Sequence, residues 1–364
     1  MTLEQFYKGK KIFLTGHTGF KGSWLSAVLT DMGAEVKGYA LAPNTNPSLY
    51  ELLGLEKATQ SVIGNILDAD KLKKEVISFK PDIVFHLAAQ PLVRLSYKEP
   101  VETIQTNVIG TANLFEAVRQ TPSVKVLINI TSDKCYENKE TDVPYKETSP
   151  MGGYDPYSAS KGMAELLTSC YRNSFFNIKE YGKSHNTALA SCRAGNVIGG
   201  GDYALDRIVP DCARALSKGE QIVLRNPLAT RPWQHVLEPL FGYMLLGKKL
   251  WVDPSLAQGW NFGPNPSDVR TVEDLVKLFL KTWGGGSYRV EPCAKLHEAK
   301  LLHLDIEKAF KLLNWRPVYD FDKAVKETAL WYKNFYEGAD IKAFTLKQIS
   351  EYRENYGKLN KEID

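Results

Sequence analysis

The stretch Lys11–Leu25, KIFLTGHTGFKGSWL, decides how the rest of the chain folds. KIFLT is a short apolar run that stops at a glycine, the pattern of a buried strand. From Gly22 onward Trp24, Leu25, Val28, Leu29 and Met32 recur at helical spacing until Gly33 ends the pattern. Between strand and helix stand Gly16, Gly19 and Gly22. Gly16 suits the positive φ of a tight turn, Gly19 lets the backbone approach an anion, and Gly22 lets the helix pack close on the strand. The first helical turn then offers unpaired N–H groups to a diphosphate. A glycine triplet alone is weak evidence, but one placed after the first strand and before a helix predicts a dinucleotide site.

Working outward, strand-like runs recur at Glu35–Ala40, Ser61–Ile63, Asp82–Leu87, Val124–Thr131 and Thr187–Ala194. Helical patterns lie between them at Ala69–Phe79, Val101–Gln120 and Tyr157–Tyr171. Such alternation predicts an α/β protein built on a Rossmann-type, doubly wound parallel sheet. After Ala194 the alternation loosens. Helices are expected at Asp206–Ser217, Leu237–Lys248, Val272–Thr282, Asp305–Leu313 and Asp322–Tyr336, with a strand at Gly259–Phe262. We therefore expect residues 1–194 and about 233–263 to form the dinucleotide domain. Residues from about 195–232 and 264–340 would form a smaller, interleaved α/β lobe for the substrate, and 341–364 a tail that frays from Glu351 onward.

Bulk properties exclude several classes. The 364 residues are 43% hydrophobic and 24% charged with a formal charge of only +4, and no dense Lys/Arg run offers a nucleic-acid surface. The five cysteines are dispersed and form no C-x-x-C pair, which argues against a disulfide framework or a zinc site. No metal is expected. The N-terminal MTLEQFYKGKK lacks a signal-peptide core, and no apolar run approaches the ~18 residues of a membrane span. These features predict a cytoplasmic protein that binds neither nucleic acid nor membrane.

The chemistry gathers in a second stretch, Val126–Lys161. The run VLINITSDKCY ends a strand at Ser132, Asp133 and Lys134, and PYSASK opens a helix carrying Tyr157 and Lys161 one turn apart. Tyr-x-x-x-Lys occurs three times, at Tyr7/Lys11, Tyr157/Lys161 and Tyr319/Lys323, but only the middle pair follows a strand ending in Ser132. A tyrosine hydroxyl titrating near ~10 is a poor base at neutral pH. A lysine ammonium one helical turn away stabilises its phenolate, while Ser132 can hold a substrate hydroxyl in line. Ser132, Asp133, Lys134, Tyr157 and Lys161 are the expected catalytic residues.

The G-x-x-G-x-x-G spacing together with Ser132 and Tyr157/Lys161 resembles the extended branch of the short-chain dehydrogenase/reductase superfamily that acts on nucleotide sugars. The resemblance implies NAD contacts from Gly16, Gly19, Phe20, Lys21, Gly22, Asn65, Ile66, Leu87, Ala88, Ala89, Asn107, Tyr157 and Lys161. The second strand ends Lys37-Gly38-Tyr39-Ala40, with neither the acid that reads an adenosine ribose nor an arginine for a 2′-phosphate. These residues leave NAD and NADP open, and NAD follows from the resemblance.

Asp133 followed by Lys134 is more specific. Nucleotide-sugar 4,6-dehydratases carry Asp followed by Glu there. The Asp-Lys pair, GHTGFKGSWL at Gly16–Leu25 and RNPLATRPWQHVLEP at Arg225–Pro239 resemble the CDP-glucose 4,6-dehydratase group. The resemblance implies that Tyr157 takes the sugar O4 proton during C4 oxidation. Lys134 would remove the C5 proton and Asp133 protonate the departing C6 hydroxyl. Lys134 must then be neutral, which burial beside Lys161 would favour. On the substrate side it implies diphosphate contacts from Asn196 and Arg231, with Arg207 and His297 as further candidates. It also implies CDP-glucose as small-molecule substrate, a place in deoxysugar biosynthesis for lipopolysaccharide O-antigen, and a homodimer or dimer of dimers through Val101–Gln120 and Tyr157–Tyr171. The alternative is a nucleotide-sugar 4-epimerase or a 4,6-dehydratase for another nucleotide hexose. No residue read by its physics identifies cytosine or glucose.

Overall fold

A computed structural model of the chain describes residues 1–291 and 302–360. The apolar runs form β1 (Lys11–Thr15), β2 (Glu35–Ala40), β3 (Gln60–Ile63), β4 (Ile83–His86), β5 (Val126–Ile130), β6 (Ala188–Arg193) and β7 (Gly259–Asn261). These seven lie in one sheet in the order β3-β2-β1-β4-β5-β6-β7, and every neighbouring pair is parallel. The order reverses between β1 and β4, which opens a crevice at the carboxyl ends of the strands where ligands bind in such sheets.

Helices of ten or more residues are α1 (Phe20–Asp31), α2 (Ala69–Phe79), α3 (Gly110–Arg119), α4 (Pro156–Ser174) and α5 (Ile208–Ser217), followed by α6 (Leu237–Val252), α7 (Val272–Trp283), α8 (Phe321–Tyr336) and α9 (Ile341–Asn360). Strand alternation divides the core between the two faces. Ile12, Leu14, Phe85, Ile128 and Ala190 pack in one cluster with Trp24 and Val28 of α1, Leu240 of α6, Trp331 of α8 and Tyr352 of α9. Phe13, Val84, Leu127 and Leu189 pack in the other with Leu72 and Val76 of α2 and Leu114 and Val118 of α3.

Beyond β6 the chain forms short pairs. Val197–Ile198 runs parallel to Gln234–His235, Ile222–Leu224 parallel to Tyr288–Val290, and Thr230–Pro232 antiparallel to Val269–Thr271.

Two local expectations are corrected, and one short helix was not expected. The long helix expected over Val101–Gln120 is helical from Pro100 to Arg119 but passes through a π-helical segment, Gln105–Ile109, that carries the buried Asn107. One extra residue per turn there lets a polar side chain face the interior, a device common at functional sites. The C-terminal segment does not fray from Glu351. It forms α9, whose Ile349, Tyr352 and Tyr356 are buried at helical spacing behind a charged outer face. The short helix Val93–Lys98 had no sequence expectation, because its single turn and a half carries too few apolar residues to show a period.

Candidate active site

The glycine turn is a groove made of backbone. Gly16 has φ 76°, and a Cβ there would stand 2.7 Å from Ala88 N. At Gly22 a Cβ would stand 2.0 Å from Gly16 O, so the helix could not pack this close with any side chain. Gly19, the N-cap of α1, has only Gly16 O at 3.4 Å. The turn therefore leaves backbone N–H groups of α1 accessible to an anion and fits a dinucleotide diphosphate. Thr15 Oγ1 accepts from Leu87 N at 3.1 Å and Ala88 N at 3.2 Å, which fixes the end of β4 against the turn. The same hydroxyl pairs with His86 Nδ1 at 2.7 Å, and His86 Nε2 with Thr111 Oγ1 at 2.8 Å. Burial pushes His86 down to about 3, so it bridges the strands as a neutral ring.

The end of β2 has another neutral filler. The buried His17 ring lies against Gly38, where a Cβ would come within 2.2 Å of its Cγ, and His17 Nε2 pairs with Ser61 Oγ at 2.7 Å. Tyr39 OH donates to Asn65 O at 3.0 Å, and the exposed Asn65 accepts from Leu67 N through Oδ1 at 2.9 Å. Ile66 is buried, and a Cβ on Gly110 would stand 2.4 Å from its Cγ2. Asn107 uses its whole amide. Its Oδ1 accepts from Gln90 N at 2.8 Å, while Nδ2 donates to Gln90 O at 3.1 Å and Ser160 Oγ at 2.8 Å. It braces the segment after Ala89 against α4.

β5 delivers Ser132 as the cap of a one-turn 3₁₀ helix, Asp133–Cys135. Ser132 Oγ donates to Asp133 Oδ1 at 2.9 Å and accepts from Lys134 N at 3.3 Å. Lys134 Nζ lies 3.2 Å from Asp133 Oδ1, and Asn196 Nδ2 lies 3.5 Å from Asp133 Oδ2. Asp133 is fully buried. The expectation of a buried Lys134 is corrected: its side chain is 31% exposed while it rests on Asp133.

α4 begins at Pro156 with Asp155 as N-cap, accepting from Ser158 N at 2.9 Å. Tyr157 N donates to Ser96 Oγ at 3.1 Å, a contact no motif announced. Tyr157 and Lys161 are both buried. Burial pushes the Tyr157 phenol up to about 12, the Ser132 hydrogen bond pulling it down and Asp133 adding to the rise. The expected lowering of Tyr157 is thus absent from the ligand-free protein, where burial outweighs every nearby cation. Burial lowers Lys161 to about 8, with the Glu165 carboxylate opposing the fall. Lys21, half-buried in the glycine turn, is lowered to about 7, first by burial; Asp133 opposes this, and Arg207, Lys161 and Lys134 add to it. The glycine turn and the Ser132–Cys135 turn therefore lie near enough for their charges to act on one another.

On the substrate side, Asn196 has φ 49° and reaches Asp133, while Arg207 Nη1 pairs with Asp202 Oδ2 at 2.6 Å and its charge acts on Tyr157. Arg231 lies in the strand Thr230–Pro232 and donates to Thr230 O. His297 lies outside the described residues.

Sequence reading missed the support behind this cluster. Glu165, one turn beyond Lys161, accepts from Thr131 Oγ1, from Ser191 Oγ at 2.7 Å and from Arg193 Nη2 at 2.8 Å. The Tyr-x-x-x-Lys-x-x-x-Glu spacing was the available signal. Burial opposes ionisation of Glu165, but Arg193 overcomes it and holds the carboxyl below its ordinary value.

A doubly wound sheet with a glycine cradle and a Ser/Tyr/Lys cluster at its carboxyl edge defines a dinucleotide-dependent protein of the extended short-chain dehydrogenase/reductase type. The family model described as GDP-mannose 4,6 dehydratase matches residues 13–253, and the chain belongs to that family. It is 50% identical over 351 residues to a CDP-glucose 4,6-dehydratase of Salmonella typhimurium, covering 96% of this chain and 98% of the relative. It is 28% identical to a dTDP-glucose 4,6-dehydratase of Streptomyces antibioticus over 89% of this chain and 92% of that one. In fold it is similar to a dTDP-glucose 4,6-dehydratase from Streptomyces venezuelae solved with NAD and TYD bound. That likeness has a TM-score of 0.76 and 22% identity, over 90% of this chain and 98% of that one. A UDP-glucose 4-epimerase from Thermotoga maritima has the same TM-score over 89% and 99%.

Proposed function

We propose that this chain is an NAD-dependent hydro-lyase that converts CDP-glucose to the 4-keto-6-deoxy sugar nucleotide. The observation that carries the reading is the 50% identity, over nearly the whole length of both chains, to a CDP-glucose 4,6-dehydratase. The Asp133–Lys134 pair beside Ser132 and Tyr157 supports it, because a 4-epimerase has no water to eliminate and no use for an added acid–base pair. NAD would be held by the Gly16–Gly22 turn, the Leu87–Ala89 wall, Asn65, Ile66 and Lys161. When bound, it supplies a hydride acceptor for C4 and a hydride donor for C6.

The protein's own residues move the protons. Tyr157 takes the O4 proton as phenolate. Burial raises its phenol, Ser132 and the Arg207 charge pull it down, and the Lys161 ammonium one helical turn away would add to that pull. The resulting 4-ketone acidifies the C5 hydrogen. Lys134 and Asp133 lie as an ammonium–carboxylate pair at 3.2 Å. Passing one proton across it leaves a neutral amine beside a carboxylic acid. The amine takes the C5 proton and the acid protonates the departing C6 hydroxyl, so one water leaves. The Lys134 ammonium returns a proton to C5 when C6 accepts hydride, and the proton Tyr157 took from O4 restores the acid. Asn196, Arg207 and Arg231 would hold the substrate diphosphate.

Residues 1–194 and about 233–263 would serve the cofactor, and about 195–232 and 264–340 the nucleotide sugar. Val101, Ile104 and Ile109 beside α3, and Met163 and Leu166 on α4, are exposed apolar residues on the two helical stretches expected to pair in a homodimer or dimer of dimers. Among the described residues no helix is long and apolar enough to cross a membrane, and Cys135, Cys170, Cys192 and Cys212 are unpaired, which supports a cytoplasmic site. A role in deoxysugar supply for lipopolysaccharide O-antigen follows from the proposed product.

The test is incubation with CDP-, dTDP-, GDP- and UDP-hexoses, with and without added NAD, followed by mass analysis. Loss of one water from CDP-glucose alone is expected. An unchanged mass with an altered C4 configuration would replace this reading with a 4-epimerase, and loss of water from a different nucleotide hexose would replace the base.

A further inference from the structure

The catalytic turn, Ser132–Cys135, is tied down on both sides by one buried carboxylate. On its N-terminal side Thr131 donates its hydroxyl to Glu165 Oε1. On its C-terminal side Tyr136 is bound through its hydroxyl to Arg193 Nη1, and Arg193 Nη2 returns to Glu165 Oε2 at 2.8 Å. The guanidinium also stacks over the Tyr136 ring at 5.0 Å and donates to Glu147 O at 3.2 Å. Tyr136 OH in turn donates to Asn261 Oδ1 on β7 at 2.7 Å. Arg193 ends β6 and leads directly into Gly195 and Asn196, which meet the second oxygen of Asp133. Glu165 itself stands on α4, four residues after Lys161 and eight after Tyr157. Glu165, Arg193, Thr131 and Tyr136 are all buried.

We infer that Glu165 is a positioning residue for the elimination step, a buried anchor that sets Asp133 and Lys134 against the Tyr157 helix. Three elements bear the reacting groups, β5 with its turn, α4, and the strand end after β6. Each is held to the others through this carboxylate. Helix α4 has other ties, Tyr157 N to Ser96 Oγ, Asn107 Nδ2 to Ser160 Oγ and Asn129 Nδ2 to Thr168 Oγ1, so Tyr157 keeps its place without Glu165. Backbone bonds also hold the Ser132–Cys135 turn, Thr131 N donating to Cys192 O and Gly152 N to Cys135 O, both at 2.8 Å. Glu165, however, is the buried charge that joins the side chains flanking both ends of the turn to α4. Loss of Glu165 removes that tie at both ends of the turn and only one of several ties of α4, so it displaces Asp133 and Lys134 more than Tyr157. A guanidinium forked between a carboxylate, a phenol and a carbonyl cannot be replaced by an ammonium, which lacks the planar geometry.

This inference rests on the dehydratase reading, and the experiment separates the two. Glu165→Gln, Thr131→Val and Arg193→Lys are each compared with the wild type for CDP-glucose turnover, C5 hydrogen exchange with deuterated solvent, and transient absorbance of reduced nicotinamide. Melting temperature and NAD affinity are measured on the same samples. Expected for Glu165→Gln is a folded, NAD-binding protein whose kcat falls about 100-fold with KM within about threefold, because displacements of an ångström cost this much. Reduced nicotinamide should accumulate while C5 exchange slows, and Arg193→Lys should reproduce the pattern. Thr131→Val, which removes one of the three donors, should fall between. Wild-type exchange in folded Glu165→Gln, or a loss confined to KM, would overturn the inference while leaving the dehydratase reading intact. Absence of water loss in the wild type overturns that reading instead. Should Glu165→Gln fail to fold, Thr131→Val decides: slowed exchange with normal nicotinamide reduction supports the anchor, and normal exchange refutes it.

Discussion

The Asp133 carboxylate lies directly against the α-carbon of Gly195: a Cβ at residue 195 would stand 1.9 Å from Oδ2 and 2.0 Å from Cγ. Glycine here is a matter of space, since the neighbour is the fully buried Asp133 side chain. Gly195→Ala should push Asp133 off its contacts with Ser132 and Asn196 while leaving the sheet intact. We expect turnover to fall about 100-fold with a melting temperature within a few degrees of wild type. Wild-type turnover would mean that the position of Asp133 does not matter to the reaction.

Lys134 rests on Asp133 and is partly exposed, and its proposed task is confined to C5. Lys134→Ala should leave C4 oxidation measurable as reduced nicotinamide but slow C5 exchange with deuterated solvent by about 100-fold or more. Exchange at the wild-type rate would remove Lys134 from the mechanism.

Lys21 should make cofactor binding proton-linked. It titrates at about 7 in the ligand-free protein against an ordinary 10.5, with Lys134, Lys161 and Arg207 near it and Asp133 opposing them. A diphosphate entering the glycine turn favours the ammonium, so NAD binding should take up protons between pH 7 and 10 and weaken as the pH rises through that window. Calorimetry in buffers of different ionisation enthalpy measures the uptake, and Lys21→Met should abolish it. The same shift acts on stability. Between about 7 and 10.5 the unfolded chain holds the proton that folded Lys21 has lost, so the ligand-free protein gains stability as pH rises through this range. Lys21→Met should remove that slope and raise the melting temperature at pH 7 by about 2–4 °C.

Glu238 carries a separate pH dependence. Fully buried in α6, it accepts from Val318 N at 2.9 Å, Tyr319 N at 2.7 Å and Tyr352 OH at 2.7 Å, thereby holding α9 and the start of α8. Burial raises it from 4.5 to about 7, with those three donors opposing. A carboxyl raised on folding contributes stability that is complete below 4.5 and lost as pH rises through about 7. Glu238→Gln should flatten that slope in urea melts taken from pH 4.5 to 7.5. It should also cost roughly 1–3 kcal/mol at pH 5, because an amide NH₂ would face Val318 N–H. A slope that survives the substitution would assign it to another group.

Much of the cluster could be read before the fold was known, because its signals are local. Tyr157 and Lys161 share a helix face by spacing, and Ser132 ends a run too apolar to be anything but a buried strand. Asn107 was legible only as part of a cofactor wall; the π-helical segment that turns its amide onto Gln90 and Ser160 has no signature in composition or period. α9 was hidden by its own charge. Ile349, Tyr352 and Tyr356 line one face, but Lys and Glu on the others lowered the apparent hydrophobicity of the whole segment.

The chain's order of residues determined the sheet, the glycine cradle and the identities at the catalytic turn, since each depends on periods and spacings within about twenty positions. The tertiary structure alone decided how those residues stand to one another. That Glu165 binds Thr131, Ser191 and Arg193 at once, that Gly195 gives Asp133 its room, and that Lys134 stays partly exposed all follow from packing three elements at one sheet edge. Contacts between residues far apart in sequence are set by close packing of the core and by the demand that buried polar groups find partners, and neither leaves a period to read.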